Sequence, residues 1–242
     1  MNIKDKSILV TGANRGIGRA LVEEALRRGA RTVYAAVRVP MENEDSRVKC
    51  LDLDVTEPSK VIAAAASVEC LDVLVNNAGV ALYDDLSDPE VLVRHLAVNL
   101  FGPLRLAQAF LPQLKRSRGA LVNHLSIVAL DSLPIIPSYS ASKAALANLT
   151  QSLRALLAGQ GVTVHGVYLG PVDTDMNRDL DIPKAPTSEA ARGILDGLQR
   201  GEEDIFPDPV SREIADAFRT GAFKGMERQF AGFVQAGRQQ AL

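Results

Sequence analysis

Short runs of Val, Leu, Ile and Ala alternate along this chain with longer stretches in which apolar residues return every three or four positions. The runs Ser7–Thr11, Thr32–Val37, Val48–Leu53, Leu71–Val75, Ala120–Ile127 and Val162–Leu169 are apolar almost throughout. Such continuity, in place of strict alternation, predicts parallel strands covered on both faces. Helical spacing predicts helices from Arg15 to Arg28, with Gly29 as C-cap, and over residues 57–67, 88–115, 138–158 and 187–200. Leu146, Leu149, Leu153, Leu156 and Leu157 form the clearest stripe. Asp204–Pro207 reads as a last strand, followed by a helical segment over residues 210–231. This alternation predicts an α/β fold: a Rossmann-like, doubly wound parallel sheet of about seven strands in a three-layer α/β/α sandwich. No repeat, low-complexity tract or linker divides residues 1–242, so a single domain is expected.

Composition narrows the function classes. Of 242 residues, 47% are apolar and 23% charged, values of a packed globular chain. A net charge of −2, with the basic residues scattered, offers no attraction for nucleic acid or an anionic membrane. No apolar run approaches the roughly 18 residues of a membrane span. Met1–Lys6 has no signal-peptide character, so a soluble, cytoplasmic protein is expected. Cys50 and Cys70 suit neither a zinc site nor a redox pair and are expected as small buried hydrophobes. His95, His124 and His165 show no ligand spacing, so packing roles and no catalytic metal are expected.

Between the first strand and first helix stands Thr11-Gly12-Ala13-Asn14-Arg15-Gly16-Ile17-Gly18. Small residues here let backbone amides and the helix N-terminus approach a pyrophosphate, which makes Gly12, Asn14, Arg15, Gly16, Ile17 and Gly18 candidate cofactor ligands. The second strand ends at Val37-Arg38, with no acid until Glu42 to bind a ribose 2′-hydroxyl. Arg38 and Arg15 instead suit a 2′-phosphate through charge-assisted hydrogen bonds. The expected cofactor is NADP(H) rather than NAD(H).

From Asn76-Asn77-Ala78-Gly79 onward the chain resembles the short-chain dehydrogenase/reductase family. The resemblance continues through Asn99 in Val98-Asn99-Leu100-Phe101-Gly102, Ser126, Tyr139-Ser140-Ala141-Ser142-Lys143 and Gly170-Pro171-Val172-Asp173-Thr174. These motifs span residues 7–175 in the family's order. The resemblance implies an NADP-dependent carbonyl reductase-like enzyme acting on a carbonyl or secondary alcohol, with Asn99, Ser126, Tyr139 and Lys143 catalytic. Tyr139 would be the general acid/base, Ser126 would orient the substrate oxygen, Lys143 would bind the nicotinamide ribose, and Asn99 would hold a relay water. Tyr139 and Lys143 are one helical turn apart, and an ammonium near a phenol is expected to lower its pKa. Asp54 and Val55 resemble the adenine-binding pair, and Asn76, Ala78 and Gly79 the ribose and pyrophosphate wall. Val172 and Thr174, with Pro171 beside them, resemble the carboxamide site.

Leu169 stands where the family commonly has proline, and the C-terminus lacks the family's glycine-rich tail. Residues 175–200 include the expected substrate lid, polar and proline-punctuated over 175–187. Ile127, Val128, Leu130 and Leu133 beside Ser126 point to an uncharged ketone or aldehyde as the small-molecule substrate. A homodimer is expected through the helices over 88–115 and 138–158, whose apolar stripes exceed what one sheet face requires, or a homotetramer if a second interface forms. The alternative function is a non-catalytic NADP(H)-sensing protein, against which the intact Asn99-Ser126-Tyr139-Lys143 set argues.

Overall fold

The computed structural model of the protein describes residues 1–39 and 43–240, and for 233–240 the helical backbone only; Glu42 lies outside the described residues. The apolar runs form β1 (Ser7–Thr11), β2 (Thr32–Val37), β3 (Val48–Asp52), β4 (Val73–Asn76), β5 (Ala120–His124), β6 (Thr163–Val167) and β7 (Asp204–Ile205). Every pairing is parallel, in the order β3-β2-β1-β4-β5-β6-β7. The helices are α1 (Gly16–Arg27), α2 (Pro58–Ser67), α3 (Pro89–Leu96), α4 (Gly102–Ser117), α5 (Pro137–Leu157), α6 (Thr187–Arg200), α7 (Pro209–Thr220) and α8 (Ala222–Gln240).

Period-two alternation within each strand divides the core between the two sheet faces. Ile8, Val10, Val73, Val75, Val122 and Val167 join Leu21, Ile194 and Leu198 of α1 and α6 on one side. Leu9, Leu74, Leu121 and Val164 join Val61, Leu106, Phe110 and Leu114 of α2 and α4 on the other. This is the physical content of the continuous apolar runs: neither face of the central strands meets water. The chain passes outward from β1 to β2 and β3, then returns to place β4 on the other side of β1. That reversal opens a crevice at the carboxyl ends of β1 and β4.

Two expected helices are broken. The 88–115 stretch is α3 and α4 joined by a π-helical turn, Ala97–Phe101. Pro103 has no N–H to give the Asn99 carbonyl four residues back, which interrupts the α-helical ladder there. The 210–231 stretch divides at Gly221 into α7 and α8. α8 folds back onto α5. It is fixed there by Arg154, which pairs with Asp204 at 3.0 Å and with Glu227, and by Lys224, 2.5 Å from Asp204.

The apolar surplus expected on α4 and α5 is largely taken up inside the chain. Ala107 and Phe110 are core residues, while Leu100, Leu111, Leu149 and Leu153 pack against buried clusters. The cysteine expectation is also corrected: both Cys50 and Cys70 are exposed. Cys50 lies on β3, the edge strand, which has only one neighbour to cover it. No helix among the described residues is long and apolar enough to cross a membrane.

Candidate active site

A cavity of about 700 Å³ follows the crevice at the strand ends. At one end the turn Gly12–Gly18 leads into α1. Gly16 has φ +54°, and a Cβ on Gly18 would fall 2.2 Å from the Gly12 carbonyl oxygen, so larger residues are excluded at both positions. The turn is braced from β4: Asn77 Nδ2 donates to the Thr11 carbonyl (2.7 Å), and the Asn77 and Ala78 amides donate to Thr11 Oγ1 (2.9 Å each). The N-terminus of α1 has no side-chain cap and no acid in its first turn. Its free amides and positive dipole end therefore suit an anion.

Arg15 and Arg38 are both exposed and line this end of the cavity. Arg15 pairs with Asp175 across the mouth at 2.9 Å, and Asp175 also pairs with Arg178. Asp54 accepts from the Thr56 amide (2.8 Å) and hydroxyl (2.6 Å). Burial pushes its carboxyl upward, but those bonds and the Arg38 charge hold it below the ordinary value.

At the other end Tyr139 and Lys143 share one face of the first turns of α5, with Lys143 Nζ 5.6 Å from the Tyr139 ring centre. Lys143 is buried and donates to the His124 carbonyl at 2.7 Å. Burial lowers its pKa to about 8. The expected depression of the Tyr139 pKa is not what this environment produces. Burial raises the phenol to about 12, and a hydrogen bond with Ser126 opposes that only in part. The ammonium lies over the ring and spends a donor on a backbone carbonyl, so desolvation prevails. His124 is neutral, driven down to about 3 by burial and by the Lys143 charge.

Gly12, Asn14, Arg15, Gly16, Ile17, Gly18, Arg38, Asp54, Val55, Ala78, Gly79, Tyr139, Lys143 and Thr174 all line the one cavity. Pro171 does not, and neither do Asn76, Asn99, Ser126 and Val172, these four for separate reasons. Asn76 points into the core, where Nδ2 donates to Asn123 Oδ1 at 2.8 Å; its neighbour Asn77 is the one that reaches the cavity. Asn99 is fully buried in the π-helical turn, where Oδ1 accepts from the Val80 amide and Nδ2 donates to the Val80 carbonyl and to Ser142 Oγ, each at 2.9 Å. Ser126 caps a 3-10 turn and reaches the Leu169 carbonyl at 3.3 Å. Val172 is core, and its strand-like pairing with Ala185 closes the base of the loop between them. The cavity is also lined by Val80, His124, Leu169 and Met176, which carry no motif and were not among the sequence candidates. Among the described residues no group of His, Cys, Asp or Glu could hold a metal ion.

Residues 6–184 match the model of the short chain dehydrogenase family. The chain belongs to that family. It is 32% identical over 240 residues to 2-(S)-hydroxypropyl-CoM dehydrogenase 3 of Xanthobacter autotrophicus, a match covering 91% of this chain and 94% of that protein. A short chain dehydrogenase from Burkholderia cenocepacia, solved in complex with NADP, superposes with a TM-score of 0.85 at 39% identity over 91% of this chain and 95% of that one. The NADPH-bound carbonyl reductase from chicken fatty liver gives 0.73 at 31% identity, covering 81% and 91%.

In this short chain dehydrogenase the segment after β6 is tied to the C-terminal helices. Leu169 receives the Ile127 amide on its carbonyl (3.0 Å), and the Gly170 amide is taken by the buried Asp208 carboxylate (2.8 Å). Asp208 also caps α7 through the Ser211 amide at 3.0 Å, so one carboxylate joins the C-terminal helices to the cavity floor. Asp208-Pro209-Val210-Ser211 is a helix-start signal visible in the sequence, but its reach to Gly170 is not.

Proposed function

We propose that this protein is an NADP(H)-dependent carbonyl reductase or secondary-alcohol dehydrogenase, with Tyr139 as the general acid and base. The observation that carries the reading is a single cavity with an uncapped helix N-terminus and two exposed arginines at one end and, at the other, the half-buried Tyr139 beside the buried Lys143. The glycine turn suits a pyrophosphate, because Gly12, Gly16 and Gly18 line the cavity at the uncapped start of α1 and a Cβ at Gly18 would break the turn against the Gly12 carbonyl. In this reading Arg15 and Arg38 hold the 2′-phosphate, Asp54 and Val55 the adenine, and Ala78 and Gly79 the pyrophosphate side. Thr174, which lines the cavity, and the backbone of Pro171 and Val172 beside it would form the carboxamide site. NADPH, once bound, supplies the hydride.

The chain's own residues supply position and the proton. A phenol pushed to about 12 is protonated at neutral pH and ready to donate to a carbonyl oxygen. Ser126, within hydrogen-bond reach of that phenol, orients the same oxygen. Lys143, about half of it protonated at pH 8, stabilises the phenolate left behind and gives it a proton, and takes one back from solvent by way of the turn that holds Asn99. The rim near Tyr139 exposes Leu82, Tyr83, Leu130 and Leu133, which favours an uncharged ketone or aldehyde with an apolar body. Residues 187–200 form α6, with Ile194 and Leu198 in the core, so the lid we propose is the segment between Asp173 and Ala185, whose ends are hydrogen-bonded to each other at 2.9 Å. The test is NADPH consumption by the purified protein against a panel of aliphatic and aryl ketones and aldehydes. Turnover with several of them is expected; NADPH binding without turnover of any would point to a sensor.

A further inference from the structure

The segment between β4 and α3, residues 77–88, contains no helix or strand, yet it forms the wall beside Tyr139 and presents Leu82, Tyr83 and Leu86 as exposed apolar side chains. A loop of this kind needs anchors if the substrate is to meet one surface. Two are evident. Asn99 binds both the amide and the carbonyl of Val80. Asp84 accepts from Ser138 Oγ at 2.5 Å and from the Ser138 amide at 3.4 Å, immediately before Tyr139.

The third anchor lies between them. His95, on α3, is fully buried, and its Nε2 is 3.0 Å from the Leu82 amide nitrogen. Its Nδ1 is 2.8 Å from the Val91 carbonyl oxygen. An amide only donates and a carbonyl only accepts, so the two partners together demand one tautomer: Nδ1 protonated, Nε2 bearing the lone pair. The same ring meets the Tyr139 ring edge-on, with centroids 6.2 Å apart. One imidazole therefore ties the loop and touches the flank of the reacting phenol.

We propose that His95 is a positioning residue of the reaction, whose neutral imidazole holds Leu82 and the substrate wall in register with Tyr139. This rests on the reductase reading above. The placement explains a fully buried histidine with both nitrogens committed, which packing alone does not require. It also separates two properties: the wall shapes the ketone site, whereas the glycine turn and the arginines lie at the opposite end of the cavity.

Two substitutions test it. His95→Phe keeps an aromatic ring against Tyr139 and removes both hydrogen bonds. His95→Gln restores an acceptor oxygen close to where Nε2 stands. Loss of a buried hydrogen bond corresponds to about a tenfold effect, so His95→Phe should raise the KM for ketone about tenfold, lower kcat by less than about threefold, and leave the NADPH dissociation constant unchanged. Amide hydrogen exchange at Leu82 should accelerate by about tenfold in the same variant. His95→Gln should bring both KM and exchange back to within about threefold of the parent. A His95→Phe protein with parental KM and slow Leu82 exchange would overturn the proposal. So would a folded His95→Gln protein that fails as badly as His95→Phe. Exchange needs no substrate, so if the parent reduced no ketone the function reading would fall while the anchor was still tested at Leu82.

Discussion

The two ends of the cavity are built from different materials. At the glycine turn the groups facing the cavity are backbone amides, held in place by Gly16, Gly18 and the Asn77–Thr11 brace, and the charges that accompany them are exposed. At the tyrosine end the groups are side chains, and nearly all are buried: Asn99, Ser126, Lys143 and His95 are each less than a tenth exposed. A backbone site tolerates exchange of its exposed side chains and responds mainly in affinity. A site of buried, mutually bonded side chains responds in turnover and stability, because removing one member strands its partners. The difference implies that substitutions at one end should leave the property governed by the other nearly untouched.

The strongest challenge to this division is Tyr139→Phe. Loss of the proposed proton donor should reduce turnover by about three orders of magnitude, with NADPH affinity unchanged within about twofold. Steady-state NADPH consumption and a fluorescence titration of the cofactor measure the two quantities separately.

Next in size is Lys143→Met. The folded-state pKa of Lys143, about 8, lies below the ordinary 10.5, so the charged form is penalised in the fold. Below pH 8 the lysine is charged in both states and the whole penalty applies; above 10.5 it is neutral in both and none does. Parental stability should therefore rise between those values, and Lys143→Met should be the more stable protein at neutral pH by on the order of 3 kcal/mol, with the gap closing at high pH. Urea denaturation at a series of pH values reads this directly. A variant less stable than its parent at pH 7 would mean that the hydrogen bond to His124 outweighs the burial of charge.

Arg38→Asp tests the other end. Removing the proposed charge-assisted contact to the 2′-phosphate costs about 1.5–3 kcal/mol, so NADPH should bind about 10 to 100 times more weakly, with NADH binding unchanged or improved. Calorimetry with both cofactors would show it, and an unchanged ratio would shift the burden to Arg15.

Asp175→Asn is the smallest expected effect. The Arg15–Asp175 pair is exposed, its side chains 68% and 44% accessible, and such pairs contribute roughly 0–1 kcal/mol. Freeing Arg15 should tighten NADPH binding by no more than about fivefold, visible in the same titration.

How far these regions could be read in advance follows the same division. The strands and the glycine turn are local features, and Ser7–Thr11, Thr32–Val37 and the Gly12–Gly18 spacing are legible because both strand faces are apolar and only glycine allows the turn. Tyr139 and Lys143 are legible because four residues make one helical turn. What the sequence hides are bonds between distant segments. Asn76 and Asn77 are adjacent and chemically identical, and only the register of β4 against β5 turns the first inward. The apolar spacing through Leu96, Val98 and Leu100 conceals the π-helical turn, although Pro103 marks it. His95 carries no motif, since its partner Leu82 lies on a loop with no periodic signal. Desolvation likewise depends on the assembled environment, which is why proximity of Lys143 alone misjudges the Tyr139 pKa.

The claim that this cavity has two separable ends is tested most directly by measuring turnover and NADPH dissociation constants side by side for Tyr139→Phe and Arg38→Asp. A crossed pattern is expected. Tyr139→Phe loses about three orders of magnitude in kcat at parental affinity, and Arg38→Asp loses about one to two orders in NADPH affinity while retaining kcat at saturating cofactor. If both variants lost turnover and affinity together, the two ends would be one coupled site and the account would be contradicted.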